Sequence, residues 1–358
     1  MYELLGICLI LTALLAVNSL ASLLFTAVWR LCERPLRNLS AHTRAEILFG
    51  MRILPPAVAL ILVGMLVLPA YIGYEPQATS EIVSKKLASL ALVSAAGFIF
   101  ASWRAYRSWS ATRSLLSQWL RCSQQIVLPG ISIPTFRIEH SFPIIAVVGS
   151  LNPRLFVASQ VLDALNKEEL GAAIAHERGH LIARDNLKRS LLRACRDLLT
   201  LIPFGRSFDR AWAQAAEAAA DEHAARQNPE RALNLASALV KIAKMIPVRE
   251  RAEIPLGAYL IGAEETQGVR TRIRRLLDIA SRGIDKRDNE TVRTPPACFS
   301  SMIDGRQSMP EACVPTTVQT CMGVSLIALA VFTIAAASNP TVLIGVHDVI
   351  ERTVRLLC

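Results

Sequence analysis

The chain has 358 residues, 52% of them hydrophobic and 19% charged, with a formal net charge of +10. That composition excludes a disordered or fibrous chain and is too apolar for an ordinary soluble protein of this length, so a membrane protein is expected. The positive charge does not call for nucleic acid, because the basic residues gather beside apolar runs, where an anionic lipid surface attracts them.

The first apolar run, 4–29, is too long for a secretory signal, has no basic residue before it and lacks a clear small-residue cleavage site, so it reads as a membrane span. Arg30, Arg34, Arg37 and Arg44 follow it. A second run, 53–74, contains Pro55, Pro56 and Pro69, which membrane helices tolerate. The short segment 75–86 is charge-balanced, and a third run occupies 87–103. Arg104, Arg107, Arg113 and Arg121 come next, with no acid before Glu139. Basic residues favour the cytoplasmic side. This places the N-terminus outside, the first loop inside, 75–86 outside and the large 104–320 segment in the cytoplasm. A fourth run, 321–337, returns the chain outside and leaves a short tail at 338–358.

Within the large segment, 104–122 reads as a helix leaving the membrane. Alternating β-formers at 125–128, 135–138, 143–148 and 154–157, broken by Pro, Gly and Asn, predict a small sheet. An exposed strand edge there would suit an extended peptide, which binds by backbone pairing. His140 falls in this β region and reads as structural or near the rim of a cleft. Amphipathic helices are expected at 186–203 and 230–246. The Pro- and Ser-rich stretch 286–320 reads as a linker, which makes 104–285 one α+β domain. Arg270, Arg272, Arg274 and Arg275 form a basic helical patch, read as a solvated face.

The chemistry lies in Ala173-Ile-Ala-His-Glu-Arg-Gly-His180. Asn166 followed by Glu169 is a capping-box start for a helix through this stretch. Histidines four apart then share one helical face and can reach one metal ion. Glu177 is placed to take a proton from the attacking water, the arrangement of a zinc metalloprotease. A third ligand is needed downstream, and the Ala-rich helix at 211–226 offers Glu217 and Asp221 on one face. Glu217 would complete a two-histidine, one-glutamate zinc set, with Asp221 orienting a ligand imidazole. His223 is a candidate oxyanion donor, but on an ideal helix it points away from the Glu217–Asp221 face, so an exposed histidine is the simpler reading.

Three separated stretches, 147–157, 162–170 and 175–186, together with the spacing of Glu217, Ala220 and Asp221, resemble the BlaR/MecR-type integral-membrane metalloproteases of bacteria. The resemblance implies zinc on His176, His180 and Glu217, with Glu177 as base. Asp185 matches a recurring aspartate of that family, although an Asp before a new helix is often only a cap. The implied protein is mainly α, with four transmembrane helices and a cytoplasmic α+β zincin-like domain of gluzincin type between the third and fourth. It would sit in the bacterial inner membrane and cleave a protein substrate, a cytoplasmic transcriptional repressor or itself, to transmit a signal. Because only a short tail follows the last run, no penicillin-binding sensor domain is expected.

Two other readings stay open. One is a processing or quality-control protease resembling HtpX or the CAAX-type enzymes, against which stand three spans before the motif. The other is a scaffold that binds zinc only structurally, against which stands the intact Glu177. The eight cysteines show no zinc-knuckle spacing, and Cys298 and Cys313, in the linker, are expected to be reduced thiols.

Overall fold

The computed structural model describes residues 2–36, 38–76, 83–195, 205–226, 228–246, 266–291 and 317–357. In chain order the elements are α1 (Tyr2–Leu36), α2 (Ala41–Leu62), a π-helical turn (Val63–Val67), α3 (Leu68–Tyr74), α4 (Lys85–Arg121), β1 (Ser123–Ile126), β2 (Thr135–Ile138), β3 (Ile145–Val148), β4 (Arg154–Ala158), α5 (Ser159–Ala164), α6 (Lys167–Ala183), α7 (Asp185–Cys195), α8 (Gly205–Ala225), α9 (Pro229–Met245), α10 (Thr266–Thr291), α11 (Thr317–Ala337) and α12 (Pro340–Leu357). They form two compact units. One takes in Met1–Arg107, Ser190–Ala213 and Pro315–Cys358, the other Ser108–Arg189 and Gln214–Val314.

Four helices are long and apolar enough to cross a membrane: Tyr2–Arg34, Ala41–Tyr74 and Val318–Ala337 in the first unit, and Lys85–Arg121, of which the part up to Arg107 belongs to that unit. Each contains one of the four runs read from the sequence. The second begins at Ala41 rather than at 53, because Ser40 caps it by accepting the Thr43 N–H. The residues expected in an inner loop are therefore mostly helical. Glu46 and Arg52 are buried on α2, where Glu46 accepts from Gln319 Nε2 at 2.9 Å and Arg52 Nε donates to Asp209 at 3.3 Å. Pro69 has no N–H to return to the preceding turn. The chain meets it with one wider turn, in which the Leu68 N–H reaches Val63 O.

The tail expected at 338–358 is a helix. On α12, Leu343, Val346, Ile350 and Val354 recur at helical spacing and pack with Leu9, Val67 and Ala70. His347, half-buried on the same helix, has its ring nitrogens 3.8 Å from Glu75 and 3.6 Å from Glu351.

The second unit is built on a four-stranded sheet of order β1-β2-β4-β3, with β2 and β4 parallel and the two outer pairings antiparallel. Its strands lie within three residues of the predicted ones. All of β3 and most of β4 are buried, which fits a sheet covered by helices. Trp119 stands edge-on to Phe156 at 5.2 Å, and Phe136 stacks on Phe156 at 5.4 Å. Helix α6 packs against β3 and α9, and α10 packs against α9. Residues 286–291, assigned to the linker by sequence, continue α10. Cys298 and Cys313 lie outside the described residues, and the described cysteines are free thiols.

The capping box at the start of α6 is present: Asn166 Oδ1 accepts the Glu169 N–H at 2.8 Å, and Glu169 Oε2 accepts the Asn166 N–H at 3.0 Å. Glu169 does more than cap. It is buried, and it accepts from Ser237 Oγ and Lys241 Nζ, each at 2.7 Å, so it binds α9 to the head of α6. Burial pushes its carboxyl up, but Lys241, Ser237 and the Asn166 N–H outweigh that and hold it below the ordinary 4.5. A carboxyl lowered by folding adds stability that is complete above its unfolded value and is lost as pH falls through the folded one. Glu169→Gln is expected to cost about 2 kcal/mol at neutral pH, seen as a melting temperature lower by about 4–8 °C. The gap from the native chain should close only below the ordinary carboxyl value of 4.5. A gap that persisted unchanged at lower pH would mean that the carboxylate's charge is not what holds α9.

Candidate metal centre

Three elements of the second unit deliver the site. Helix α6 carries His176, Glu177 and His180, the start of α7 carries Asp185, and α8 carries Glu217 and Asp221. Arg184 stops α6 in the left-handed region at φ 54°, with its N–H turned back to His180 O and Leu181 O. That reversal lets α7 start at once and returns Asp185 to His180. Gly179 sets the approach of α8. A Cβ there would lie 3.0 Å from Ala220 Cα, so any side chain would force the helices apart.

Donor atoms of His176, His180 and Glu217 all lie within 4.8 Å of one another. His176 Nε2 and His180 Nε2 are 3.2 Å apart, and each is 3.6 Å from a Glu217 carboxylate oxygen. Zinc–nitrogen distances of about 2.0–2.1 Å at a tetrahedral angle require a nitrogen–nitrogen separation of about 3.3 Å. The set thus has the spacing of ligands to one ion. The second nitrogens are spoken for. His180 Nδ1 is 2.6 Å from Asp185 Oδ2, and His176 Nδ1 is 3.0 Å from Asp221 Oδ1. With Nδ1–H donated to a carboxylate, each ring turns its Nε2 lone pair toward the shared centre. Asp221 thus lies against the His176 imidazole, and Asp185, the first residue of α7, lies against that of His180.

The electrostatics favour a cation. The carboxyls of Glu177, Glu217, Asp185 and Asp221 surround two imidazoles and one guanidinium. Burial opposes charge on His180, yet Glu217 and Asp185 push its imidazole up to about 10. Burial also works against ionisation of Glu217 and Asp221, and Arg272 overcomes it, holding Glu217 well below the carboxylate range and Asp221 below it. Glu217 Oε2 is buried without a hydrogen bond although Arg272 Nη1 lies 3.1 Å away, so a lone pair remains for a metal. Glu177 behaves in the opposite way. Its burial dominates and raises its carboxyl above 4.5, against His180, His176 and the Val147 N–H, from which it accepts.

β3 is an outer strand of the sheet, and one residue of its outer edge is already engaged. At Val147 of β3 the N–H serves Glu177, and Val147 O accepts from Asn186 Nδ2 at 2.8 Å. His140 Nδ1 accepts the Phe142 N–H at 3.0 Å, a structural use. His223 is half-buried rather than exposed, with its Cβ on the side of α8 that faces Gly179.

Arg272 is the residue that the sequence reading missed. Expected on a solvated patch, it is 13% exposed. Its Nε is 3.0 Å and its Nη2 2.6 Å from the two Asp221 oxygens, and Nη2 is 3.4 Å from both ring nitrogens of His176. Arg275 pairs with Glu222, while Arg270 and Arg274 are exposed as expected. A signal did exist: Arg272 lies on the stripe of Val269, Ile273, Leu276 and Ala280 that packs into the core.

Residues 145–296 match the model of peptidase family M48. No curated protein matches the chain. The M48 match starts at β3 and covers every residue of the centre just described. M48 enzymes are metallopeptidases, typically of zinc, and the His176–His180–Glu217 group suits that ion by the chemistry and spacing of its donors. Together with four helices long and apolar enough to cross a membrane, the M48 match supports a membrane metallopeptidase.

Proposed function

We propose that the chain is a zinc-dependent endopeptidase of the bacterial inner membrane, with its catalytic unit in the cytoplasm and its N-terminus and α12 outside. The observation that carries the enzymatic part is the pair of Nε2 atoms 3.2 Å apart, each imidazole braced by a carboxylate, with a buried Glu177 beside them. The arginines that border the first and third apolar runs support the orientation.

His176, His180 and Glu217 would hold the ion. Zinc bound there supplies Lewis acidity toward a peptide carbonyl. Glu177 removes a proton from the attacking water and passes it to the leaving amine. Its raised carboxyl suits both transfers, since a group that titrates closer to the working pH is a better base and then a better acid. The Val147 backbone beside that carboxyl favours its ionised form. Asp221 and Asp185 hold the imidazoles, and Arg272 keeps Asp221 ionised. His223, at the α6–α8 contact, is the candidate donor to the carbonyl oxygen as it gains charge.

The substrate class we infer is a protein at the inner membrane face, cut in regulated signalling: a transcriptional repressor or this chain itself. The resemblance to BlaR/MecR-type transducers supports that choice over general processing of the HtpX or CAAX kind. Cells carrying the native chain should show new protein termini that are missing from cells carrying Glu177→Gln. A few termini in one DNA-binding protein or in this chain would support signalling. Termini spread over many membrane proteins would favour processing, and none under any condition would remove the enzymatic reading.

A further inference from the structure

Helix α12 follows α11 directly after Ser338 and Asn339, and Asn339 Oδ1 accepts the Thr341 N–H at 3.0 Å to start it. It therefore begins where an apolar span ends. It is not a span itself, because Asp348, Glu351, Arg352 and Arg355 interrupt it. Its surface divides into three sectors. Leu343, Val346, Ile350 and Val354 pack with Leu9, Val67 and Ala70. Val342, Val349 and Leu356 recur at heptad spacing, so they form a line beside that packing face, and they are 37%, 63% and 81% exposed. The charged residues take the remaining sector, in which Ile344 is the one apolar side chain. The turns beneath α12 mark its level. Tyr2 stacks on Tyr71 at 5.0 Å, and the Tyr74 ring lies 6.3 Å from that of His347 on α12. Tyrosines gather where a membrane meets water. On the same turns Leu4, Ile7 and Ile72 point outward, 53%, 56% and 64% exposed.

We propose that α12 is a membrane-surface helix, lying along the lipid–water boundary with Val342, Val349 and Leu356 among the acyl chains and Asp348, Glu351, Arg352 and Arg355 toward headgroups and water. A helix with one apolar and one charged side settles there, its apolar side about 5–10 Å into the bilayer. Lipid is the occupant, rather than a second copy of the chain, for two reasons. A self-pairing seam needs a second apolar row three or four residues on from the first. Those positions hold Gly345, Val346, Arg352 and Thr353, and Val346 already packs inward. The exposed line also continues the outward apolar side chains of α1 and α3, on which the helix rests. The proposal rests on the membrane reading of the four long helices and is independent of the peptidase reading.

Three single variants of the full chain test it: Val349→Cys on the apolar line, Asp348→Cys in the middle of the charged sector, and Ile327→Cys on the span α11. All three positions are exposed, so each variant should fold. Each is placed in phospholipid nanodiscs, whose two faces are both open to solvent, and treated with a negatively charged maleimide. Tandem mass spectrometry reads every cysteine separately, the native ones included. Asp348→Cys should react readily and Ile327→Cys hardly at all. Val349→Cys should react at least about ten-fold more slowly than Asp348→Cys, because a thiol among acyl chains rarely meets a charged reagent. In the native chain, a phosphatidylcholine with a diazirine on its acyl chain near the headgroup should label the 342–356 stretch. Val349→Cys reacting as fast as Asp348→Cys would put the line in water and overturn the proposal. So would an Asp348→Cys as protected as Ile327→Cys, which would mean that α12 is enclosed. A protected Val349→Cys without lipid labelling of 342–356 would mean that protein covers the line, and would overturn it too. Ready reaction of Ile327→Cys is a different failure, since it would remove the membrane reading itself.

Discussion

Purified in mild detergent, the native chain is expected to carry one zinc per molecule, and His176→Ala, His180→Ala and Glu217→Ala to lose most of it. Structural zinc sites are worth about 10–16 kcal/mol in apparent binding, so one ligand of a four-coordinate set accounts for roughly 3 kcal/mol or more, a loss of at least about a hundred-fold in affinity. Replacing a bracing carboxylate should cost less. Asp185→Asn and Asp221→Asn are expected to weaken zinc binding by about 10–100-fold, since they only orient the rings. Glu177→Gln separates binding from chemistry. It removes no donor from the three-residue group, so zinc content should stay at the native level. Peptide hydrolysis should fall by about 10²–10⁴, the usual range for losing a general base. Metal analysis of the five ligand and bracing variants together with Glu177→Gln is one measurement. If the three ligand variants held as much zinc as the native chain, the centre would lie elsewhere. If Glu177→Gln hydrolysed at the native rate, the proton would be moving through another group.

The parts of this centre that were legible in the sequence are those fixed by local geometry. His176 and His180 share a face because a helix repeats every 3.6 residues, and the helix itself was announced by Asn166 and Glu169. Glu217 and Asp221 followed from the same spacing on α8. The apolar runs were legible because bilayer thickness sets a length. What the sequence did not yield depends on packing between distant segments. Arg272 lies 96 residues beyond His176. It reaches the centre only because α10 packs on α9, and among four arginines in six positions nothing local marks it. The helix within the 338–358 tail was not read from the sequence for a different cause. The helical spacing of Leu343, Val346, Ile350 and Val354 was visible, but a segment of that length after the last span was read only as a short tail. Asp185 was ambiguous because a cap and an imidazole partner look alike until Arg184 is seen to reverse the chain.

Arg272 also gives the sharpest test of how the centre is balanced. Asp221 is fully buried and Glu217 three-quarters buried, and Arg272 lies against both. Arg272→Leu leaves two acids facing each other with no fixed cation. Breaking a buried pair by removing one partner costs about 3–5 kcal/mol, because the remaining charge is stranded. With a chelator present, the variant is therefore expected to melt lower by about 10 °C or more. Two effects then compete when zinc is added. Losing the guanidinium frees Asp221 from its bidentate hold and loosens the His176 ring, which weakens binding by the 10–100-fold typical of an orienting partner, or about 1.4–2.7 kcal/mol. Against this, the ion now supplies the positive charge that the acids lack, and this recovers part of a larger penalty. Since 3–5 exceeds 1.4–2.7 kcal/mol, the zinc-induced rise in melting temperature should be greater in Arg272→Leu than in the native chain. Arg272→Lys should fall between them, because an ammonium restores the charge but cannot span both Asp221 oxygens as Nε and Nη2 do. A smaller zinc response in Arg272→Leu than in the native chain would mean that Arg272 acts mainly by orienting Asp221 and His176. An unchanged melting temperature under chelator would mean that the acids take up protons in its place.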